Sequence, residues 1–319
     1  MKSELSEDPK ISIADFIKIS TAEMKFEVLA GEESLDSKFI NSPRIQKLGL
    51  ALAGFAHYIH SGRLQIFGQS ETSYLKQLSE TERIEALKNL DLDKICCILI
   101  TKNLEPLSEL LEIAEKNKLP LLKTPLFSST AIGAVSGFLQ KILAPKISIH
   151  GVMLGIYGLG LLIQGESGIG KSECALDLIT RGHRLISDDV VTIKKFGEIL
   201  EGSSPDLTKE HLEIRGLGIL NISDLFGVSS IGQNKKIDLC IEFRKWDEVT
   251  DVDRLGLKMQ TEEIFDVKIP KFILPVSSGR NLATLVETAV RVHLSKAAGH
   301  NAAQKLIAKH SEQLITDNE

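Results

Sequence analysis

The sequence predicts an α/β (α+β) protein in two parts, a small N-terminal αβ domain over residues 1–128 and a larger C-terminal phosphate-loop domain over residues 129–319. Three observations carry this. Short apolar strand patterns alternate with helical periodicity through the first part. The stretch Thr124-Pro125-Leu126-Phe127-Ser128-Ser129 then interrupts both periodicities. Beyond it, the apolar run Leu161-Leu162-Ile163 leads into Gly165-Glu166-Ser167-Gly168-Ile169-Gly170-Lys171-Ser172, and a helix-forming stretch follows from Glu173 to Ile179. That is a complete G-x-x-x-x-G-K-[ST] loop in the strand–loop–helix setting that the motif requires.

In the N-terminal part, Lys25 to Leu29 alternates with period two, as a half-buried strand does. Leu64 to Phe67, Ile95 to Ile100 and Leu121-Leu122 are further strand candidates. Leu48 to Ile59, Thr81 to Leu90 and Leu107 to Lys116 carry helical periodicity, and the sum is a small αβ sandwich. His57 and His60 sit three apart on a predicted helix with no third ligand candidate, which favours surface or packing histidines over a metal pair. Lys88, Asp91, Asp93 and Lys94 read as a solvated face. After the break, Ser128 or Ser129 caps a helix that shows Ile132, Val135, Phe138, Leu139 and Ile142 on one side and stops before Pro145.

The C-terminal part opens β-rich. Ile147 to Val152 and Gly160 to Ile163 bracket a glycine-rich reversal at Tyr157-Gly158. His150 is thus expected on a strand close to the one feeding the loop, either as an active-site group or as a packed core histidine. In the loop, backbone N–H groups and the helix N-terminus attract phosphate. Lys171 would reach the outer phosphates and Ser172 would hold Mg²⁺. Gly182 is the expected end of the loop helix. Next comes Leu185-Ile186-Ser187-Asp188-Asp189-Val190-Val191, in which two adjacent carboxylates lie inside an apolar strand pattern. Such carboxylates need a cation or a proton to handle, or else they are a solvated turn. In a strand they would face opposite ways and hold separate jobs.

The stretch Leu212-Glu213-Ile214-Arg215-Gly216-Leu217-Gly218-Ile219-Leu220-Asn221 sets one glutamate and one arginine among apolar residues. They read as a Mg²⁺ ligand and a phosphate clamp, or equally as an internal ion pair. Ile237 to Phe243 and Ile264 to Ile269 are strand patterns, and by residue chemistry alone Arg254 belongs to the surface. Pro275-Val276-Ser277-Ser278-Gly279-Arg280-Asn281 turns into a long amphipathic helix with Leu282, Leu285, Val286, Ala289, Val290, His293, Leu294 and Ala297 on one face.

Composition limits the partners. The chain is 43% apolar and 25% charged with a formal charge of −5, so no general attraction to nucleic acid or an anionic membrane is expected. Its start carries no apolar core of a signal peptide, and the longest apolar run, Val152 to Ile163, is too short to span a bilayer. Cys96, Cys97, Cys174 and Cys240 lack disulfide or ligand spacing, which fits a reducing, cytoplasmic setting.

In sequence order, His150-Gly151, Gly165 to Glu173, Ser187-Asp188-Asp189, Leu212 to Gly216, Arg254-Leu255-Gly256 and Pro275 to Asn281 resemble the bacterial HPr kinase/phosphorylase family. The resemblance covers the C-terminal half and extends weakly to Leu50 to Phe55 and Arg63 to Gly68; Ser42 to Gly49 does not keep the family's compact Arg-Pro-Gly approach to Leu50. It implies ATP-dependent phosphorylation of a serine of HPr, with pyrophosphate an alternative donor, and removal of that phosphate by phosphorolysis giving pyrophosphate. It also implies a catalytic fold like that of phosphoenolpyruvate carboxykinase, Mg²⁺ as cofactor, a role in regulating carbon metabolism, and a homohexamer. By position, Asp189 matches the general base and acid, and His150, Lys171 and Arg254 match further catalytic residues. Residues 165–172 match the nucleotide loop, and Ser172 and Glu213 the Mg²⁺ ligands. Residues 212–221 match the segment used in both directions and Pro275 to Arg280 the segment tied to dephosphorylation. Two rivals stand beside this reading: a P-loop kinase of a small metabolite and a nucleotide-sensing module without chemistry.

Overall fold

Alternation decides the N-terminal unit. The structure, a computed structural model, describes residues 9–20, 22–248 and 260–300, and the described residues divide into two units, one up to Pro145 and one from Lys146. In the first unit, strands Gln46–Lys47, Gln65–Phe67, Ile98–Ile100 and Leu121–Lys123 pair in parallel, and Glu27–Ala30 adds antiparallel beside Leu121–Lys123. Successive side chains of a strand point to opposite faces. Ile98, Ile100 and Phe67 therefore pack on helices Gln69–Gln77, Glu80–Lys88 and Ser108–Lys116, through Leu75, Leu87, Leu110 and Ala114. Leu99, Ile66 and Leu122 pack on the other side, against Phe16 of helix Ile13–Ile19 and Ala131, Val135 and Leu139 of helix Ser128–Ile142. Both faces being covered, the central strand Ile98–Ile100 and its neighbours Ile66-Phe67 and Leu121-Leu122 are apolar and buried.

Three expectations change here. The boundary falls after Pro145 rather than at 128, because helix Ser128–Ile142 buries its apolar side in the N-terminal core. The helix expected over 48–59 is one turn, Gly49–Leu52, followed by a 3-10 turn at Ala56–Tyr58; Gly54 between them takes φ +100° and ends the helix. His57 and His60 consequently do not share a helix face. Helices Ile13–Ile19 and Gln69–Gln77 had no strong periodic signal and are additions.

The C-terminal unit contains β1 (Lys146–His150), β2 (Val152–Ile156), β3 (Leu159–Gly165), α1 (Lys171–Thr180), β4 (Arg184–Ser187), β5 (Val190–Phe196) and β6 (Ile199–Ser203). They are followed by β7 (His211–Ile214), β8 (Gly218–Asn221), α2 (Ile222–Phe226), β9 (Lys235–Lys236), β10 (Leu239–Lys245), β11 (Gln260–Ile264), β12 (Val267–Val276) and α3 (Leu282–Ala297). A six-stranded sheet has the order β4-β2-β3-β10-β12-β11, a four-stranded sheet the order β9-β6-β5-β1, and β7-β8 form a hairpin. Side chains of β2, β3 and β10 on one face pack on α1 and α3 through Leu178, Val286 and Val290. Met153, Leu162 and Cys240 on the other face pack against Val191 and Ile193 of β5 and Leu200 of β6.

The expected strand over 147–152 is two strands of two sheets, with Gly151 at the change. The expected strand over 264–269 is a hairpin: Phe265 and Asp266 both take positive φ between β11 and β12, and Pro270 falls inside β12. Helix α3 spans the apolar pattern expected of it, with Val286, Ala289 and Val290 buried. Among the described residues, no helix is long and apolar enough to cross a membrane.

Candidate active site

β3 lies inside the six-stranded sheet, antiparallel to β2 and parallel to β10, and its end delivers the phosphate loop. Gly165 has φ +148° and Gly168 φ +79°, a range that side chains disfavour. A β-carbon at Gly165 would lie 2.8 Å from the Phe243 carbonyl oxygen, and one at Gly168 would lie 3.1 Å from the guanidinium nitrogens of Arg215. At Gly165 the Phe243 backbone leaves no room for a side chain, whereas at Gly168 it is the positive φ that favours glycine, since the Arg215 side chain can move. Ile169 packs on the core beneath and holds the loop down, while Ser167 and Glu166 stay exposed. Lys171 Nζ folds back and donates to the carbonyls of Gly165 (2.9 Å) and Glu166 (2.8 Å). Burial pulls its pKa below the ordinary lysine value, against the attraction of Asp188 and Asp189. A lysine held this way is ready to exchange those carbonyls for phosphate oxygens.

Asp188 and Asp189 do have separate environments, but through a turn rather than a strand, since both lie between β4 and β5. Asp188 is buried, and its Oδ1 accepts from the Ser172 hydroxyl (2.9 Å) while its Oδ2 accepts from the Glu213 N–H (3.0 Å). Burial pushes its pKa up, partly opposed by those two donors. One carboxylate thereby fixes both residues expected to hold Mg²⁺. Asp189 points outward, with φ +62°, and its carbonyl accepts from Gly151 N–H (2.9 Å). Its Oδ1 lies 3.5 Å from His150 Nδ1. Their side chains are 74% and 67% exposed, which removes the core-histidine alternative for His150. His150 itself sits on the four-stranded sheet, and its closeness to β3 comes through Gly151, where a β-carbon would strike the Ile163 carbonyl.

The hairpin β7–β8 buries Leu212 and Ile214 and exposes Glu213, so alternation alone aims the glutamate away from the core. Glu213 and Arg215 form no ion pair with each other; the guanidinium rests on Gly168 instead. The segment from Pro275 also reaches the loop. Arg280 donates to the Pro275 carbonyl (3.0 Å) and stacks over Trp246, Asn281 caps α3, and Leu282 lies against Gly170.

The model described as the HPr Serine kinase C-terminal domain matches residues 141–310, and the one described as the HPr Serine kinase N terminus matches residues 11–139. The chain belongs to the HPr kinase/phosphorylase family. A relative of that name from Geobacter sulfurreducens is 44% identical over 94% of this chain and 95% of its own length. Another from Caldanaerobacter subterraneus is 40% identical over 96% and 99%. A solved HPr(Ser) kinase/phosphatase from Coxiella burnetii is 36% identical and covers 50% of this chain and 97% of its own, with a TM-score of 0.46. The family is one of enzymes, named for kinase and phosphorylase activity.

Of the residues expected at this family's site, the structure brings together the loop, Asp189 with His150, and the hairpin, and Leu282, just past the expected segment Pro275 to Arg280, lies against Gly170. Arg254 lies outside the described residues. Sequence reasoning missed what Asp188 does, because one of its partners is a backbone N–H 25 residues away. It also missed Glu287 of α3, which gathers Arg181, His183 and Tyr157 at the far end of α1. Glu287 lies more than a hundred residues from each, so no local pattern could signal it.

Proposed function

We propose that this chain transfers the γ-phosphoryl group of ATP to a serine of HPr and removes it again by phosphorolysis, with pyrophosphate as product. The observation that carries the reading is an open Asp189–His150 pair directly beside a buried carboxylate, Asp188, that is tied to the phosphate loop. A nucleotide sensor needs the loop but no exposed base beside it.

The donor's phosphates lie in the loop, against its N–H groups, the N-terminus of α1 and the Lys171 ammonium. Arg215, resting on Gly168, is placed to meet the outer phosphate oxygens. Asp189 accepts the seryl proton as that oxygen bonds to phosphorus and the bond to the leaving diphosphate breaks. In phosphorolysis, the reverse of transfer from pyrophosphate, an oxygen of inorganic phosphate bonds to the phosphorus of phosphoserine as the P–O bond to serine breaks, and pyrophosphate leaves. Asp189 then returns its proton to the serine oxygen, so one group serves both directions by microscopic reversibility. The site fits Mg²⁺, because Ser172 and Glu213 offer hard oxygen donors and the buried Asp188 holds both of these residues in place. Among the described residues no three His, Cys, Asp or Glu side chains form a cage. None is needed: held by Ser172 and Glu213, the ion would neutralise phosphate charge during transfer.

Regulation of carbon metabolism, assembly as a homohexamer and action in the cytoplasm belong to the same reading, on the family resemblance alone. The test is a two-way assay with purified HPr: phosphorylation with Mg-ATP or pyrophosphate, then phosphorolysis with inorganic phosphate while pyrophosphate is monitored. Transfer only to small molecules, or nucleotide binding with no transfer, would overturn it.

A further inference from the structure

A groove opens at the other end of α1 from the phosphate loop. Its volume is about 730 Å³, a size typical of small-molecule sites, and Gly155, Tyr157, His183, Arg184, Gln233 and Lys235 are among the residues that line it. The ten residues of α1, on the order of 15 Å of helix, separate its rim at Arg181 from Lys171. Gly155 of β2 leaves its floor bare. A β-carbon there would lie 3.8 Å from both Arg184 Cβ and Lys235 Cδ, so the two cationic side chains border one empty position.

Charge marks what the groove can hold. The chain carries a formal charge of −5, yet no aspartate or glutamate lines this groove among the described residues. Four of its lining residues, Arg181, His183, Arg184 and Lys235, are basic. Glu287 answers Arg181 and His183 from outside the groove, at 3.0 and 2.8 Å. The side chains of Arg184 and Lys235 have no hydrogen bond or ion pair among the described residues. Two like charges beside one bare position repel each other until an anion lies between them.

Two features choose among anions. Phosphate sites recruit free backbone N–H groups and helix N-termini. Here the N–H groups of Gly182, His183 and Gly232 already donate to the carbonyls of Ile179, Leu178 and Leu185. The groove also adjoins the carbonyl end of α1, whose partial negative charge opposes a phosphoryl dianion more than a carboxylate. Binding falls to the side chains: the planar fork of Arg184, which matches a carboxylate in a bidentate way, and the compact ammonium of Lys235. We propose that this groove binds a small dicarboxylate, with one carboxylate on Arg184, the other on Lys235 and the carbon chain across Gly155. The site uses no group of the phosphate loop, so it stands apart from the phosphoryl-transfer reading.

The experiment is calorimetric titration of the full chain with malate, acetate and inorganic phosphate, for the wild type, Arg184→Gln and Lys235→Gln. Arg184 is exposed and Lys235 half-buried, and neither side chain loses a partner, so the fold tolerates both changes. The expected result is one malate per chain, bound about tenfold more weakly by either variant, with acetate about tenfold weaker than malate on the wild type, since a charged hydrogen bond is worth about that factor. Failure of millimolar malate to bind overturns the site, as does malate binding that neither substitution weakens. Phosphate also enters the phosphate loop, so only the phosphate binding that Arg184→Gln abolishes counts; if that is tighter than malate binding, the carboxylate assignment falls. A change of mass by light scattering in either variant overturns the site in favour of an ion pair between copies of the chain.

Discussion

His150 Nδ1 lies 3.5 Å from Asp189 Oδ1, and the two residues are brought together by antiparallel strands in which Val190 faces His150. The pairing sets an imidazole beside the carboxylate proposed to take the proton. Asp189→Asn isolates the proton transfer, because asparagine tolerates the positive φ of this position. We expect kinase turnover and phosphorolysis to fall together by about 10²–10⁴-fold, the usual worth of a positioned base. Donor binding, followed by fluorescence titration, stays within a few-fold. A variant that loses one direction and keeps the other would show that Asp189 is not shared between them.

Asp188 acts through others, holding the Ser172 hydroxyl and the Glu213 backbone at once. An Asp188→Asn side chain keeps the size but can accept through one oxygen only, so one donor loses its partner. The Mg²⁺ concentration for half-maximal activity should rise about ten- to hundredfold, as when an outer partner of metal ligands is removed. The KM for HPr should not follow it. An unchanged Mg²⁺ curve with reduced kcat would instead assign Asp188 to the chemistry.

The phosphate loop was legible in the sequence because its parts are contiguous: each glycine, the lysine and the serine act within eight residues. The Asp188-Asp189 pair was legible as chemistry for the same reason. Its geometry was not, since apolar neighbours on both sides suggested a strand where the chain turns at Asp189. The switch between sheets at Gly151 was also hidden, because the alternating strand Lys146–His150 passes into the apolar strand Val152–Ile156 with only Gly151 between them. Helix Ser128–Ile142 was found but assigned to the wrong unit: periodicity reveals an apolar side, not the core that receives it.

Gly168 is where the hairpin meets the loop. Gly168→Ala adds a methyl 3.1 Å from Arg215 at φ +79°. Arg215 is exposed and can withdraw, so the fold should survive with a loss of about 1–2 kcal/mol from the backbone alone. Withdrawal takes the guanidinium off the phosphate side. We expect the KM for ATP and for pyrophosphate to rise about tenfold together, since both share the loop and a charged hydrogen bond is worth about that much. Thermal melting separates the two effects: a fully folded variant with unchanged donor KM would show that Arg215 does not clamp phosphate.

At the other end of α1, Glu287 receives Tyr157 Oη–H (3.1 Å) and Arg181 Nη1–H (3.0 Å) and pairs with His183 Nε2 (2.8 Å), tying α1 to α3 and to the β2–β3 turn. Burial raises its pKa, but the bonds from His183, Arg181 and Tyr157 outweigh that and hold it below the ordinary glutamate value. A carboxylate depressed in the folded state contributes stability that is present above its unfolded value of about 4.3 and is lost as pH falls through the folded value. Glu287→Gln should therefore cost about 1–2 kcal/mol at pH 7, because a neutral amide leaves charged donors poorly satisfied. The difference from the wild type should shrink steadily below about pH 4.3, where the wild-type carboxylate also begins to protonate. Urea melts at a series of pH values from neutral into this acid range measure it. A penalty that stays constant down that series would mean that Glu287 stabilises by packing rather than by charge.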